Sequence, residues 1–487
     1  MITFSVPSVR FTLLQFITIF SFVSTAFGQT VYANDFVDPD YILAGNFDTH
    51  TGRAQQTIVS WAQKLAVGGP WSVINKTVSP PSGDKHDYLS WAPYWWPDCS
   101  GVGNTTALSD QQVWTTCPYK NRDGQFNPDA RLVNNVGDFQ DLSEAVFYST
   151  VAWAIGNKVN TSFETNAVQF IKTWFLDPDT KMNPNLNYGQ MIRGPGGEPG
   201  DHTGVLDLKG MTKIVNAILI LRKAGSTAWT TDLDNQMVAW TKQYITWLTT
   251  ADIAVQESKA TNNHGSFYYN QLTALRLLVN DTDGAKASSN AYFSGIFMNQ
   301  IAANGEQPLE ASRTRPYHYR CYNLAAMIAN ARLAKYADPS STFWNKTTAA
   351  GATIKSALDF AMGVSPSASG ETSYAEELYP NVAAIASVYG DASNNYENFL
   401  KKADGEFNQQ PYMLWDQPFA VDLASGLATT PAAHKSATTA SPASQHKPST
   451  SSSGQKSKES ASSASSVKTA GSWLMLSIGV LTGVQVF

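Results

Sequence analysis

Several features are scarce in this chain, and each scarcity narrows the function. Only 15% of the 487 residues are charged and the formal net charge is −5, so no overall positive field attracts a polyanion and no nucleic acid partner is expected. The helical half of the chain shows no apolar alternation of period two, so few strands are expected. No two carboxylates stand in an obvious catalytic frame, which disfavours a glycoside hydrolase.

Cysteine is also scarce, with three residues in the chain. Cys99 and Cys117 flank a segment rich in Gly, Asn and Thr, and we expect them to close a disulfide loop in an oxidising compartment. Cys321 remains alone. It is either buried and inert, or this pairing is wrong.

The N-terminus predicts a secretory route. Residues 1–28 contain Arg10, the apolar run FTLLQFITIFSFV and the small-x-small sequence Ala26-Phe27-Gly28, which together are typical of a signal peptide. The mature chain is then expected to begin near Gln29.

The C-terminus predicts a lipid anchor. Residues 424–472 are dominated by Ser, Ala, Thr and Lys, which indicates a disordered and O-glycosylated stalk. Residues 473–487 form an apolar tail shorter than the roughly 20 residues of a membrane span. A small-residue site, a polar spacer and such a tail are typical of a GPI-anchor signal, with attachment expected among Ser460–Ser465 at a cell surface or cell wall. The intervening residues 29–423 are expected to form one catalytic domain.

Asn-x-Ser/Thr sequons agree with secretion and predict surface positions for their asparagines. They begin at Asn75, Asn104, Asn160, Asn280 and Asn345.

Apolar residues recur at helical spacing along most of the chain. The predicted helices cover residues 53–66, 142–155, 163–176, 206–224, 233–249, 267–278, 285–303, 319–336, 343–362, 378–389 and 396–403. Many amphipathic helices joined by long loops predict an all-α fold, an (α/α) toroid or incomplete α/α barrel of helical hairpins whose loops form the cleft.

The tetrapeptide NNHG at residues 262–265 lies where a loop is predicted to enter a helix. The Asn263 amide can donate to a carboxylate, and His264 can exchange a proton near neutral pH. The alternative is a capping Asn followed by a surface His.

Two loops are candidates for sugar binding. Residues 85–100, KHDYLSWAPYWWPDCS, contain two prolines that exclude a regular helix or central strand, and their aromatic side chains can form a wall with a cationic end. Packing as a lid over the core is the alternative. Residues 177–204 form a long polar loop whose side chains can hold hydroxyl groups. The candidates are Lys85, Tyr88, Trp91, Tyr94 and Trp95 in the first loop, and Asn185, Asn187, Tyr188 and Gln190 in the second.

The segment PLEASRTRPYHYRCYNLAAM, residues 308–327, supplies local positive charge. Pro316 interrupts the helix there, so Arg313 and Tyr319 can converge on one point of the cleft, and neighbouring guanidiniums are expected to lower the pKa of the phenol. Arg315 and Tyr322 are further candidates for the same cleft. The alternative is that the tyrosines pack and the arginines pair with Glu306 and Glu310.

These residue types fit β-elimination at C4 of a uronic acid, which needs neutralisation of the C6 carboxylate, removal of the C5 proton and protonation of O4. Asn263 and Arg313 suit the first task. Tyr319 suits the other two, while His264 either lowers the pKa of that phenol or acts as the base on the epimeric sugar. No metal or other cofactor is required.

The motifs resemble a known family. NNHG, followed about fifty residues on by RTRPYHYRCYNL, with DKHDYLSWAPYWWPD and NPNLNYGQ upstream, is similar to the alginate lyase-like (α/α) toroid polysaccharide lyases, over roughly residues 53–400. The resemblance implies an active site of Asn263, His264, Arg313 and Tyr319 and a substrate such as alginate or glucuronan. An alternative alignment places the catalytic pair on Arg315 and Tyr322. The segment PGDHTG around His202 departs from the family pattern, which leaves the substrate open.

Two rival functions are kept. One is a non-catalytic carbohydrate-binding cell-wall protein on the same fold, which would have no need for a Tyr beside Arg and His. The other is the glycoside hydrolase that the missing carboxylate pair disfavours.

Overall fold

Helices form most of the described chain. The computed structural model describes residues 35–103, 107–197 and 199–416. Over these residues the α-helices are α1 Pro39–Ala44, α2 Gly52–Ala66, α3 Asp110–Thr116, α4 Asn135–Ile155, α5 Thr161–Ile171, α6 Met211–Ala224, α7 Thr231–Thr250, α8 Asp252–Glu257, α9 Asn263–Leu278, α10 Thr282–Ser294, α11 Pro308–Ala311, α12 Pro316–Ala337, α13 Ile354–Met362, α14 Tyr379–Tyr389, α15 Asn395–Ala403 and α16 Tyr412–Trp415.

Most of these helices match the predicted ones, but three predictions joined elements that are separate. The predicted helix 285–303 is α10 followed, after Gly295, by a 3-10 turn, Ile296–Asn299. The predicted helix 343–362 is a short 3-10 turn, Phe343–Asn345, followed by α13. Gly351 lies between them at φ 81°, a left-handed conformation that interrupts a helix. The predicted helix 206–224 likewise divides into a 3-10 segment, His202–Leu208, and α6.

The helices pack in a closed ring. Contacts run from α2 to α4, then to α6, α9, α12 and α14, and the short α16 contacts both α14 and α2. Other helices lie against this ring, with α5 on α4, α7 on α9, and α10 on both α9 and α12. The arrangement confirms the predicted all-α fold of the (α/α) toroid type.

Buried charges and aromatic rings fasten both ends of the described chain to this ring. Arg332 of α12 donates to Asp35 at 2.6 Å and also to Asp416, and all three side chains are buried. Next to Asp416, the ring of Trp415 packs on Phe147 of α4 at 5.7 Å between centroids. Loss of one partner would leave a buried charge unpaired, which is strongly destabilising.

Four short strands pair loop segments within the described residues. β1 Leu89–Trp91 pairs in parallel with β4 Tyr188–Met191, and β2 Trp95–Pro97 pairs antiparallel with β3 Tyr119–Asn121. Each sheet has two strands, so neither Pro93 nor Pro97 of the aromatic loop lies in a central strand. A small second core under β1 is formed by Leu89, Trp91, Ala130 and Val133.

The structure contains the expected disulfide between Cys99 and Cys117, whose Cα atoms lie 4.9 Å apart. This bond ties the segment between β2 and β3 to the start of β3. Cys321 is free and buried.

Two buried glutamates bind the N-termini of the helices that carry the predicted site. Glu310 accepts the backbone N–H of Asn263 at 2.7 Å, where α9 begins. Glu371 accepts the N–H groups of Tyr317 and His318 at 3.0 and 2.9 Å, where α12 begins. The first N–H groups of a helix have no partner within it, and a carboxylate satisfies them while favouring the positive end of the helix dipole.

Several sequence predictions lie outside the described residues: the signal peptide, the stalk, the GPI tail and the sequon at Asn104. Four other sequon asparagines are exposed, at Asn75, Asn160, Asn280 and Asn345. Within the part of the chain that the structure describes, no helix has the length and apolar character needed to cross a bilayer.

Candidate active site

Phenols and guanidiniums meet at the start of α12, and we call Tyr94, Arg313, Arg315, Tyr319 and Tyr374 the phenol–guanidinium cluster. Arg313 Nη2 donates to Tyr319 Oη at 2.9 Å, and its Cζ lies 3.8 Å from the centre of that ring. Arg315 donates to Tyr94 Oη at 2.5 Å and to Tyr374 Oη at 2.7 Å. The phenol oxygens of Tyr94 and Tyr319 are 3.3 Å apart. The predicted convergence of Arg313 and Tyr319 is therefore present, with Pro316 as the first residue of α12.

Asp123 orients Arg313 from the loop after β3. Its Oδ1 accepts from Nη2 at 2.8 Å and its Oδ2 from Nε at 3.3 Å, which is a two-point contact that fixes the plane of the guanidinium. The next residue, Gly124, has φ 73°, and a Cβ there would lie 2.3 Å from Thr314 Oγ1. The loop can therefore approach this close only with glycine at that position.

The two arginines of the cluster differ in whether an acidic residue offsets their charge. Asp123 offsets the charge of Arg313. Arg315 has phenols as its hydrogen-bond partners and forms no ion pair with an acidic residue among those the structure describes. Arg315 therefore retains the positive charge that a substrate carboxylate would meet.

The expected lowering of the Tyr319 pKa is wrong. Burial, followed by the neighbouring Tyr94 phenol, raises the pKa of Tyr319 well above its usual value, and the opposing charges of Arg313 and Arg315 do not compensate. The side chain is 4% exposed, so desolvation of a phenolate dominates. Tyr319 is consequently a phenol at neutral pH and is suited to donate a proton.

A second group, the imidazole–carboxylate cluster, consists of His202, Glu257 and His264. Glu257, the last residue of α8, is fully buried and accepts from His264 Nδ1 at 2.7 Å and from His202 Nδ1 at 2.6 Å. The two ring centres are 6.4 Å apart. Because a carboxylate only accepts, each neutral imidazole carries its proton on Nδ1 and presents a lone pair on Nε2.

Charge is distributed unevenly in this cluster. Burial alone would raise the pKa of Glu257, but the charges and hydrogen bonds of the two imidazoles outweigh it and lower the pKa. The hydrogen bond to Glu257 raises the pKa of His202 above its ordinary value of 6.5. The carboxylate is therefore ionised at neutral pH and favours a positive charge beside it.

Glu310 lies between the two clusters. Its Oε2 accepts from Asn263 Nδ2 at 2.7 Å, and it interacts electrostatically with both His264 and Arg313. Asn263 can thus offer a substrate only its other amide hydrogen. The capping residue of the alternative interpretation is Asn262, whose side chain accepts from the His264 backbone N–H at 3.3 Å.

The prediction that Tyr88 and Trp91 bind sugar is wrong, because both side chains belong to the core. Tyr88 is fully buried and donates to Asp207 at 3.0 Å. Trp91 lies in the second core, stacked under the guanidinium of Arg193 at 4.2 Å. Gln190 is also engaged by protein groups, since it donates to Asp207 at 2.8 Å and accepts from Thr203 at 3.0 Å.

The remaining candidates lie at the surface without a contact to either cluster. Asn185 accepts from the backbone of Asn187, whose own side chain accepts from Trp247 Nε1 at 2.7 Å. Tyr188 lines a shallow pocket of about 540 Å³ together with Asn187. Lys85 is exposed and Trp95 is half-buried in β2.

The alternative catalytic pair, Arg315 and Tyr322, is not joined in the structure. The half-buried Tyr322 ring packs on Phe267 at 4.4 Å, while Arg315 lies 5.9 Å from the Tyr319 ring. The alternative interpretation, in which the arginines pair with Glu306 and Glu310, is correct for Arg320. This arginine binds Glu306 through two contacts of 2.7 and 2.8 Å.

Sequence reasoning missed Asp123, His202, Glu257 and Tyr374, which hold the site. Asp123, His202 and Tyr374 act through contacts between remote parts of the chain, whereas Glu257 precedes His264 by seven residues, but no local pattern marks any of them. The described residues contain no group of three or more His, Cys, Asp or Glu side chains arranged to hold a metal ion. The chemistry on offer is acid–base chemistry beside a fixed positive charge.

Comparison with known proteins identifies relatives of this arrangement. The family model described as Alginate lyase matches residues 72–367. The chain is similar to a solved alginate lyase from Bacteroides ovatus, with 30% identity, 75% of this chain and 93% of that chain covered, and a TM-score of 0.66. It also aligns with alginate lyase A1-III from Sphingomonas species A1 at 13% identity, covering 79% and 98% of the two chains with a TM-score of 0.41. No curated relative matches the sequence.

Proposed function

The chain belongs to the alginate lyase family and is a polysaccharide lyase, and we propose that it cleaves a 4-O-linked polymer of uronic acids by β-elimination. The observation that supports this most strongly is the contact of Tyr319 Oη with Arg313 Nη2 at 2.9 Å, beside a second guanidinium, Arg315, that no acidic residue in the described part of the chain neutralises. A proton donor next to fixed positive charge is the arrangement that elimination from a uronate needs.

Carboxylate neutralisation falls mainly to Arg315 in this proposal. Removal of the C5 proton sends charge onto the C6 carboxyl group, so a cation there stabilises the transition state more than the ground state. Arg313 contributes the N–H groups that Asp123 and Tyr319 do not use. Asn263, held by Glu310, adds one amide hydrogen at most.

Proton transfer is divided between His264 and Tyr319. His264 Nε2 takes the proton from C5, the electron pair of the C5–H bond forms the C4=C5 double bond, and the C4–O4 bond breaks. Tyr319 Oη gives its proton to O4, which completes the leaving hydroxyl. The raised pKa of Tyr319 favours this donor role over the base role expected from the sequence.

The substrate class follows from charge and from relatives. An acidic polysaccharide suits a cleft with one uncompensated guanidinium, and the solved relative at 30% identity is described as an alginate lyase. We propose a polyuronate of the alginate or glucuronan type.

The first experiment follows the new double bond by ultraviolet absorbance. Purified protein is incubated with polymannuronate, polyguluronate, glucuronan and de-esterified pectin. A rise on one polymer identifies the substrate, and Tyr319→Phe, which keeps the ring and removes the proton, is expected to lower the rate by at least about 100-fold.

Tyr322→Phe is the matched control, since it removes a phenol that forms no contact with Arg313. Loss of activity in Tyr322→Phe with activity retained in Tyr319→Phe would move the proton donor to Tyr322. Binding to a polyuronate without any rise in absorbance would favour the non-catalytic wall protein instead.

We also propose that the protein is secreted and held at the cell surface or wall by a lipid anchor. The apolar leader, the Ser/Thr-rich stalk and the apolar tail in the sequence support this location. The exposure of Asn75, Asn160, Asn280 and Asn345 is compatible with glycosylation on that route.

A further inference from the structure

His202 lies beside the proposed base, with 6.4 Å between the two ring centres, and the proposed mechanism does not use it. It reaches the cleft from the 3-10 segment His202–Leu208 and shares the buried carboxylate of Glu257 with His264, one oxygen to each imidazole. Both hydrogen bonds are short, at 2.6 and 2.7 Å. The protonation of one imidazole therefore acts on the other through a single shared charge.

The net charge of the imidazole–carboxylate cluster depends on how many of its imidazoles are protonated. With Glu257 ionised, the cluster carries −1 when both imidazoles are neutral, 0 when one is protonated and +1 when both are. A buried carboxylate favours one counter-charge, whereas a second imidazolium would repel a first whose ring centre is 6.4 Å away. A single added proton is therefore favoured over two.

The surroundings decide which imidazole takes that proton. His202 faces a second carboxylate, Asp201, whose Oδ1 is 3.9 Å from Nε2, and its side chain is 28% exposed against 17% for His264. The acidic group facing His264 besides Glu257 is Glu310, which already accepts two hydrogen bonds from Asn263 and is near the charge of Arg313. Both solvation and nearby charge favour a proton on His202.

We propose that His202 is a positioning residue that supplies the positive charge required by Glu257 and so leaves His264 Nε2 unprotonated as the base. The inference deepens the proposed function and rests on it for the role of His264. It requires no contact between His202 and the substrate.

The test replaces His202 with glutamine. His202→Gln keeps an N–H group for Glu257 but no titrating charge, so His264 becomes the only counter-ion of the buried carboxylate. We expect the ring titration of His264, followed by NMR, to move up by about one pH unit, and the acid limb of the pH–rate profile to move with it. The chain has seven histidines, few enough to assign by single substitutions.

A matched control is His50→Gln, because His50 also contacts a carboxylate, Asp48, at 2.8 Å but lies exposed at the surface. It should leave the His264 titration and the pH–rate profile unchanged. Glu257→Gln is the second variant, and it should move the titration of both cleft imidazoles to lower pH.

The outcomes separate this inference from the proposed function. An unmoved His264 titration in folded His202→Gln overturns the inference, and if that variant does not fold, unmoved titrations in Glu257→Gln overturn it. Absence of elimination on every polyuronate overturns the proposed function instead, while the NMR titration still decides whether His202 controls the protonation of His264.

Discussion

The two clusters of the cleft contrast in how they carry charge. Guanidiniums supply the charge of the phenol–guanidinium cluster, and they stay protonated at any pH at which the protein is folded. In the imidazole–carboxylate cluster the charge changes by one with each proton gained near neutral pH. Both clusters are held by a carboxylate: Asp123, 190 residues before Arg313, holds the first, and Glu257, seven residues before His264, holds both imidazoles of the second.

This difference indicates a division of labour in elimination. Neutralising the C6 carboxylate calls for charge that does not vary with pH, whereas taking the C5 proton calls for a group that titrates near the working pH. Glu310, which interacts with both Arg313 and His264, joins the two parts. The contrast predicts that variants of the first cluster change the rate at every pH and that variants of the second change its pH dependence.

Among variants of the phenol–guanidinium cluster, the largest effect in these predictions is expected from Arg315→Ala. This variant removes the guanidinium that no described acid offsets, so we expect kcat/KM to fall by about 100-fold or more at every pH tested. Steady-state rates from double-bond absorbance between pH 5.5 and 8.5 measure it. Arg320→Ala is the control, because it removes an arginine of α12, the helix that follows Arg315, and this arginine is already paired with Glu306. A fall in kcat/KM confined to one end of the pH range would contradict the assignment of a pH-independent charge to Arg315.

A smaller effect is expected from Asp123→Asn. The amide cannot hold both Arg313 contacts as an acceptor, so the guanidinium loses its orientation but keeps its charge. We expect kcat to fall by about 10-fold through misplacement of the groups around Tyr319. KM should not rise, since the cleft becomes more positive toward an anionic substrate. A rise in KM with unchanged kcat would show that Asp123 acts on binding rather than on positioning.

Local patterns made part of this molecule predictable. Apolar residues at helical spacing predicted 53–66, and the structure has α2 at Gly52–Ala66. The approach of Arg313 to Tyr319 followed from a proline that begins a helix at Pro316. Each of these inferences rests on residues close together in sequence, where backbone geometry alone fixes the relation.

Contacts between remote segments were not predictable in the same way. Tyr88 and Trp91 resembled the aromatics of a binding wall, but Tyr88 packs in the main core and Trp91 in the second core. β1 is three residues long and buried throughout, too short for its pattern to reveal this. The pKa of Tyr319 depends on a balance between burial and charge that only the packed structure settles. Asp123 lies 190 residues before Arg313, and nothing near it in sequence marks the pairing.

The smallest effect is expected on the free energy of unfolding, when His202 of the imidazole–carboxylate cluster is replaced with glutamine. The raised pKa of His202 means that its bond with Glu257 stabilises the folded state fully below the unfolded pKa near 6.5 and loses this contribution as pH rises through the folded value. His202→Gln should therefore lower the free energy of unfolding more at pH 5.5 than at pH 8.5. We expect a difference of no more than about 1 kcal/mol, because the imidazole is partly solvated. Urea denaturation of both proteins at the two pH values measures it, and a larger loss at pH 8.5 would mean that Glu257 draws its counter-charge from His264 rather than from His202.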